Sequence, residues 1–106
     1  MSSDKNKRFV ARVDSALEDL MDLFFENRWE DVKAIEASLR NGDYKAISSL
    51  AHQMKGVGGS YGFEAVTSVG AQMEKAAKES DAAEIERLLT ELRQYLDNVE
   101  VVIFED

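Results

Sequence analysis

The stretch His52-Gln53-Met54-Lys55-Gly56-Val57-Gly58-Gly59-Ser60-Tyr61-Gly62 holds four of the six glycines and the only histidine of a 106-residue chain. Glycine inside a helix costs roughly 0.8–1.0 kcal/mol against alanine. Glycines at 56, 58 and 59 therefore weaken a helix by about 3 kcal/mol on that scale. A small domain has only about 5–15 kcal/mol in total. Either the helix has ended, or something requires bare backbone there. At about 100° per residue, positions i, i+3, i+4 and i+7 share one face. Those positions are His52, Lys55, Gly56 and Gly59. The opposite face carries Ile47, Leu50, Ala51 and Met54. This spacing predicts a helix anchored in a core, with an exposed histidine, a lysine one turn on and a glycine floor beside them.

Helical periodicity continues outward in both directions. Upstream, Asn41-Gly42 is a helix stop and Asp43 a cap for the histidine helix. Before it lie the stripe Leu17, Leu20, Met21, Phe24, Phe25 and the stripe Val32, Ile35, Leu39. A first helix is expected from Ser15, where Ser15 and Glu18 have capping-box spacing, with a break around Asn27-Arg28. Downstream, Gly62 ends the histidine helix, and a further one runs from about Phe63 with Val66, Val69, Met73 and Ala77 inward. A last helix begins at Ser80-Asp81 and carries Ile85, Leu88, Leu89, Leu92, Leu96, Val99 and Val102. Strand alternation is absent, save for the final Val101-Val102-Ile103. Short connections between amphipathic helices favour antiparallel neighbours. The expected fold is all-α: an up-and-down antiparallel four-helix bundle with an additional N-terminal helical segment. Residues 1–11 are expected to be a flexible N-terminal segment and 12–106 the single domain.

Composition narrows the function classes. The net charge is −8, and only Lys5 to Arg12 is basic, so nucleic acid is not an expected partner. There is no cysteine, which excludes disulfides, thiol nucleophiles and thiolate metal sites. No leader-like start and no apolar run near the roughly 20 residues of a membrane span occur. A cytoplasmic, monomeric protein without a membrane segment is expected. The polar start and the end at Asp106 favour a free-standing protein.

The histidine face suits a nucleophile that must meet a large partner. Unperturbed imidazole titrates near pH 6.5, so a solvated ring is mostly free to attack at neutral pH. Lys55 can neutralise charge on a phosphoryl group carried by the ring, and the glycines leave room for a second protein. Phosphoryl transfer depends mainly on positioning and electrostatics, so such modest equipment suffices.

His52-x-x-Lys55-Gly56, followed by Gly59 and Gly62, closely resembles the phosphorylation motif of histidine-containing phosphotransfer (HPt) domains. The stretch from Val13 to Gly42 and the Phe63-to-Ala77 helix are similar to that family too, so the resemblance covers about residues 12–100. It implies a phosphorelay carrier in two-component signal transduction. His52 would accept a phosphoryl group from a receiver-domain aspartyl phosphate, or from a histidine kinase, and pass it to a response-regulator receiver. Lys55 would stabilise the phosphate, and Gly56, Gly59 and Gln53 would form the receiver docking face. Many members place a glutamine beside the histidine. Here the aligned position is Glu74, with Gln72 nearby, and both are possible imidazole neighbours. No cofactor or metal is implied for this chain, with Mg²⁺ expected only in the partner receiver. The implied partners are receiver domains and a sensor histidine kinase, and no kinase activity of its own is implied.

Plainer assignments account for the remaining features of the chain. The Met and Phe stripes read as core, and acidic pairs such as Glu18-Asp19 and Glu30-Asp31 as solvated faces. No Glu-x-x-His pair occurs, since Ser49 stands three residues before His52. The glycines lack the Gly-Lys-Ser/Thr order of a nucleotide loop. Trp29 and Tyr61 lack a basic surround for base stacking. Two alternatives stay open: a non-catalytic scaffold or inhibitor that binds a receiver or kinase, and the phosphoacceptor domain of a larger chemotaxis-type kinase.

Overall fold

The computed structural model describes residues 9–105. Strand β1 (Phe9–Asp14) leads into a 3₁₀ turn (Ser15–Leu20) and then α1 (Met21–Arg40). There follow α2 (Tyr44–Tyr61), α3 (Glu64–Lys78), α4 (Ala82–Asn98) and β2 (Val99–Phe104). Around the bundle α1 packs on α2, α2 on α3, α3 on α4, and α4 back on α1. The shared core includes Ile35, Ile47, Met54, Phe63, Met73, Leu88 and Leu92.

Local chemistry accounts for the helix ends. Asp43 Oδ1 accepts from Ala46 N at 3.1 Å, and Asp81 Oδ1 from Glu84 N at 3.1 Å, so each satisfies a first-turn donor. Gly62 closes α2 with φ 87°, a left-handed conformation that disfavours a side chain. Phe63 N then donates to Gly58 O at 2.8 Å, and the Phe63 ring drops into the core. It stacks on Phe24 at 4.4 Å, with Phe25 edge-on at 5.6 Å, which ties α1 to the α2–α3 turn.

Three expectations are corrected. The first helix does not begin at Ser15. Asp14 caps the 3₁₀ turn through Ala16 N at 2.9 Å, and the α-helix starts at Met21. There is no break at Asn27-Arg28. Arg28 is buried, with Nε 2.8 Å from Asp31 Oδ2 and its guanidinium over the Phe24 ring, so its own helix satisfies the charge. The fold is mostly helical but not all-α, because β1 and β2 form a parallel pair in the register Phe9↔Val99 to Asp14↔Phe104. Val99 and Val102 therefore belong to β2 rather than to the last helix. A β-branched run such as Val99–Phe104 becomes a strand only when a partner is present, and here the partner is the opposite end of the chain. Within the segment expected to be flexible, Phe9, Val10 and Ala11 are paired in β1, and residues 1–8 lie outside the described residues.

No described helix is long and apolar enough to cross a membrane.

Candidate functional site

The histidine helix continues unbroken to Tyr61 despite its glycines. Two glycines, one on each helix, explain how closely α2 meets α3. A Cβ on Gly58 would lie 2.8 Å from Thr67 N and 3.0 Å from Val66 Cβ. A Cβ on Gly70 would lie 2.8 Å from Lys55 N and 2.9 Å from Ala51 O. Both distances are too short for a real side chain, so bare backbone is required at the crossing. Thr67 Oγ1 strengthens it by donating to Lys55 O at 3.2 Å.

One turn beyond Gly70, on the same face of α3, stands Glu74. The close crossing brings its carboxylate to the histidine. His52 Nδ1 lies 3.2 Å from Glu74 Oε2, and Lys55 Nζ lies 3.4 Å from Oε1. Lys78, one turn further along α3, places Nζ 3.7 Å from Oε2. The Glu74 side chain is 17% exposed, while that of His52 is 66% exposed. The carboxylate thus sits under a ring that faces solvent.

The tautomer follows from the partner. An ionised carboxylate only accepts hydrogen bonds, so the imidazole nitrogen beside it donates. Nδ1 carries the proton, and in the neutral ring the Nε2 lone pair is free. Partial burial of Glu74 pushes its pKa up, but the Lys55 hydrogen bond and the charges of Lys55, His52 and Lys78 outweigh it. The carboxyl is held below its ordinary value, so it is ionised at neutral pH.

The structure brings together His52, Lys55 and Glu74. Gly56 and Gly59 lie exposed on the His52 face, as does Gln53 beside it. A Cβ on Gly56 would meet nothing within 4 Å, and one on Gly59 would make only an ordinary contact with Thr67 Oγ1 at 3.7 Å. The fold therefore does not require glycine at either position. Gln72 is not at the imidazole: its amide donates to Ser68 O at 3.3 Å and Ser68 Oγ at 3.1 Å. Gly58 was legible in sequence only as a glycine calling for bare backbone, while Lys78, Gly70 and Thr67 carried no reading there. The i,i+4 spacing of Glu74 and Lys78 was a usable signal for the first, and a glycine inside the periodic α3 stripe for Gly70.

Chemically, the cluster offers an oriented, solvent-facing nitrogen nucleophile with a carboxylate behind it and two ammonium groups at its flank. His52 lines neither of the two largest described grooves, which run between α1 and α4 and beside β1. Among the described residues no group of three or more His, Cys, Asp or Glu side chains is placed to hold a metal ion. Such a site has no enclosure for a small substrate and suits a reaction partner that brings its own pocket.

The family model for the Hpt domain matches residues 19–101. Neither the curated proteins nor the solved structures contain a match to the chain.

Proposed function

The chain belongs to the Hpt domain family, and we propose that it is a phosphorelay carrier with His52 as its phosphoacceptor. The family implies histidine phosphotransfer in two-component signalling, and its members interact with receiver domains and histidine kinases. For this chain we propose acceptance from a receiver aspartyl phosphate, or from a kinase, and delivery to a second receiver. It acts as a monomer in the cytoplasm, a location that fits its cysteine-free composition. We take its helices as an up-and-down antiparallel bundle, an order supported by connections of only two or three residues.

The observation that carries the proposal is the hydrogen bond from His52 Nδ1 to Glu74 beneath an exposed ring. In the transfer step the Nε2 lone pair forms a P–N bond. The P–O bond of the acyl phosphate breaks, and its electron pair leaves on the donor carboxylate. Because Nδ1 keeps its proton, the ring gains positive charge as the bond forms. Glu74 faces that charge from the far side, as a buried carboxylate does behind a catalytic imidazole. Lys55, one turn from the ring, stabilises the incoming phosphoryl oxygens. Onward transfer reverses the same steps. Mg²⁺, where needed, belongs to the receiver, and Gly56, Gly59 and Gln53 give that receiver room to dock.

The test is incubation with a phosphorylated receiver, and separately with a histidine kinase and ATP. Acid-labile, alkali-stable label on the chain is expected. No label from any donor would overturn the assignment.

A further inference from the structure

Glu74 has two oxygens and three cationic or proton-donating partners. Lys55 takes Oε1 at 3.4 Å. Oε2 is shared between His52 Nδ1 at 3.2 Å and Lys78 Nζ at 3.7 Å. Sharing matters because an oxygen that also faces an ammonium group accepts less strongly from the ring. Lys55 is moreover the residue proposed to turn toward a phosphoryl group, and it cannot serve the phosphate and Glu74 equally. Lys78 is then the cation left on the carboxylate.

We propose that Lys78 is a positioning residue for phosphoryl chemistry at His52: by holding Glu74 Oε2 it loosens that oxygen's grip on the Nδ1 proton and lengthens the life of the P–N bond. This rests on the carrier function proposed above. With Nδ1 protonated, water attacks phosphorus, the P–N bond breaks, and the ring departs as neutral imidazole while dihydrogen phosphate forms. Without that proton the ring would have to leave as imidazolate, a far poorer leaving group. Whatever strengthens the hold on the Nδ1 proton therefore shortens the life of the phosphohistidine. Removing Lys78 leaves Glu74 more negative toward the ring, so the proton stays to higher pH.

The charged groups facing the ring are Lys55 from α2 and Glu74 and Lys78 from α3. Among the described residues, α1, the other helix packed on α2, adds no ion pair to this cluster. Lys75 lies on α3 as well but pairs with Glu79 at 3.8 Å. It offers a control of equal charge that does not touch Glu74.

The experiment labels the protein with phosphoramidate, which needs no docking surface, and follows loss of label from pH 4 to 9. In Lys78→Gln the lifetime profile is expected to move to higher pH by roughly 0.2–0.7 unit, or about 1.5- to fivefold faster loss on its slope. Lys78→Arg and Lys75→Gln are expected to overlay the wild type. In a Glu74→Gln background, Lys78→Gln is expected to have no further effect. An unshifted Lys78→Gln profile, an equal shift in Lys75→Gln, or the same shift in the Glu74→Gln background overturns the role of Lys78 alone. Failure of the wild type to take label at His52 from any donor overturns the carrier function instead, and the role of Lys78 with it.

Discussion

Gly70 of α3 lies against the backbone of Lys55 of α2 so closely that a Cβ on it would stand 2.8 Å from the Lys55 nitrogen. The two helices touch backbone to backbone at this point, and the contact sets how far Glu74 can reach. The neighbouring atoms are main chain, so they cannot turn aside as a flexible side chain could.

Gly70→Ala should therefore push α3 outward. Overpacking costs about 1–3 kcal/mol, and better helix propensity returns up to about 1 kcal/mol. A net loss of about 1 kcal/mol is expected, or a melting temperature lower by roughly 4–8 °C. Transfer to His52 should slow as well, because Glu74 is displaced from Nδ1. Melting combined with the imidazole ¹⁵N shifts checks both, and an unaltered Nδ1 signal would show that the crossing does not govern the site.

Gly59 behaves oppositely. Its φ is not in the left-handed region, and a Cβ there makes only an ordinary contact. Gly59→Gln should stabilise the helix by up to about 1 kcal/mol. It should still weaken transfer from a receiver, whose surface must pass that position, while phosphoramidate labels the variant normally. Equal transfer from the receiver would remove Gly59 from the docking face.

His52→Gln should abolish phosphoryl acceptance and leave helix content and melting nearly unchanged. The chain has no other histidine, and this side chain is 66% exposed. Acid-labile label on the variant would place the acceptor elsewhere.

Lys55→Ala should slow transfer about two- to fivefold without stopping it, since the lysine supplies charge and forms no covalent bond. Stopped-flow transfer from a phosphorylated receiver measures this, and a wild-type rate would exclude a stabilising role.

Glu74 carries a pH signature. Its folded-state pKa is depressed below the ordinary 4.5, against burial, by Lys55, His52 and Lys78. A depressed carboxylate contributes stability that is present above the unfolded pKa and is lost as pH falls through the folded one. The melting difference between wild type and Glu74→Gln should therefore hold above about pH 4.5 and close below it. A difference that stayed constant down to pH 3 would mean that the ionised pairs add nothing to stability.

Much of this molecule was legible along the chain because helices are local objects. The stripe Ile47, Ala51, Met54, the caps Asp43 and Asp81 and the stop at Gly62 each follow from residues within a few positions. So did the placing of His52, Lys55, Gly56 and Gly59 on one face, since helical geometry alone decides it. The 3₁₀ turn at Ser15–Leu20 and the satisfied Arg28 were not legible, because polar residues near Asn27 look like a break until the guanidinium is seen lying on Phe24. The strand pair was not legible either, for Phe9–Asp14 and Val99–Phe104 make sense only once the bundle brings the two chain ends side by side.

The same division runs through the site. A nucleophilic histidine with a lysine one turn away is a property of one helix, and the sequence determined it. Which residue of α3 reaches the ring was decided only by the tertiary structure. Glu74 and Gln72 are two residues apart, and helical rotation sends one to His52 and the other back to Ser68. The phase of that rotation is set by where Gly58 and Gly70 let the two backbones meet, a contact between segments that no local pattern encodes.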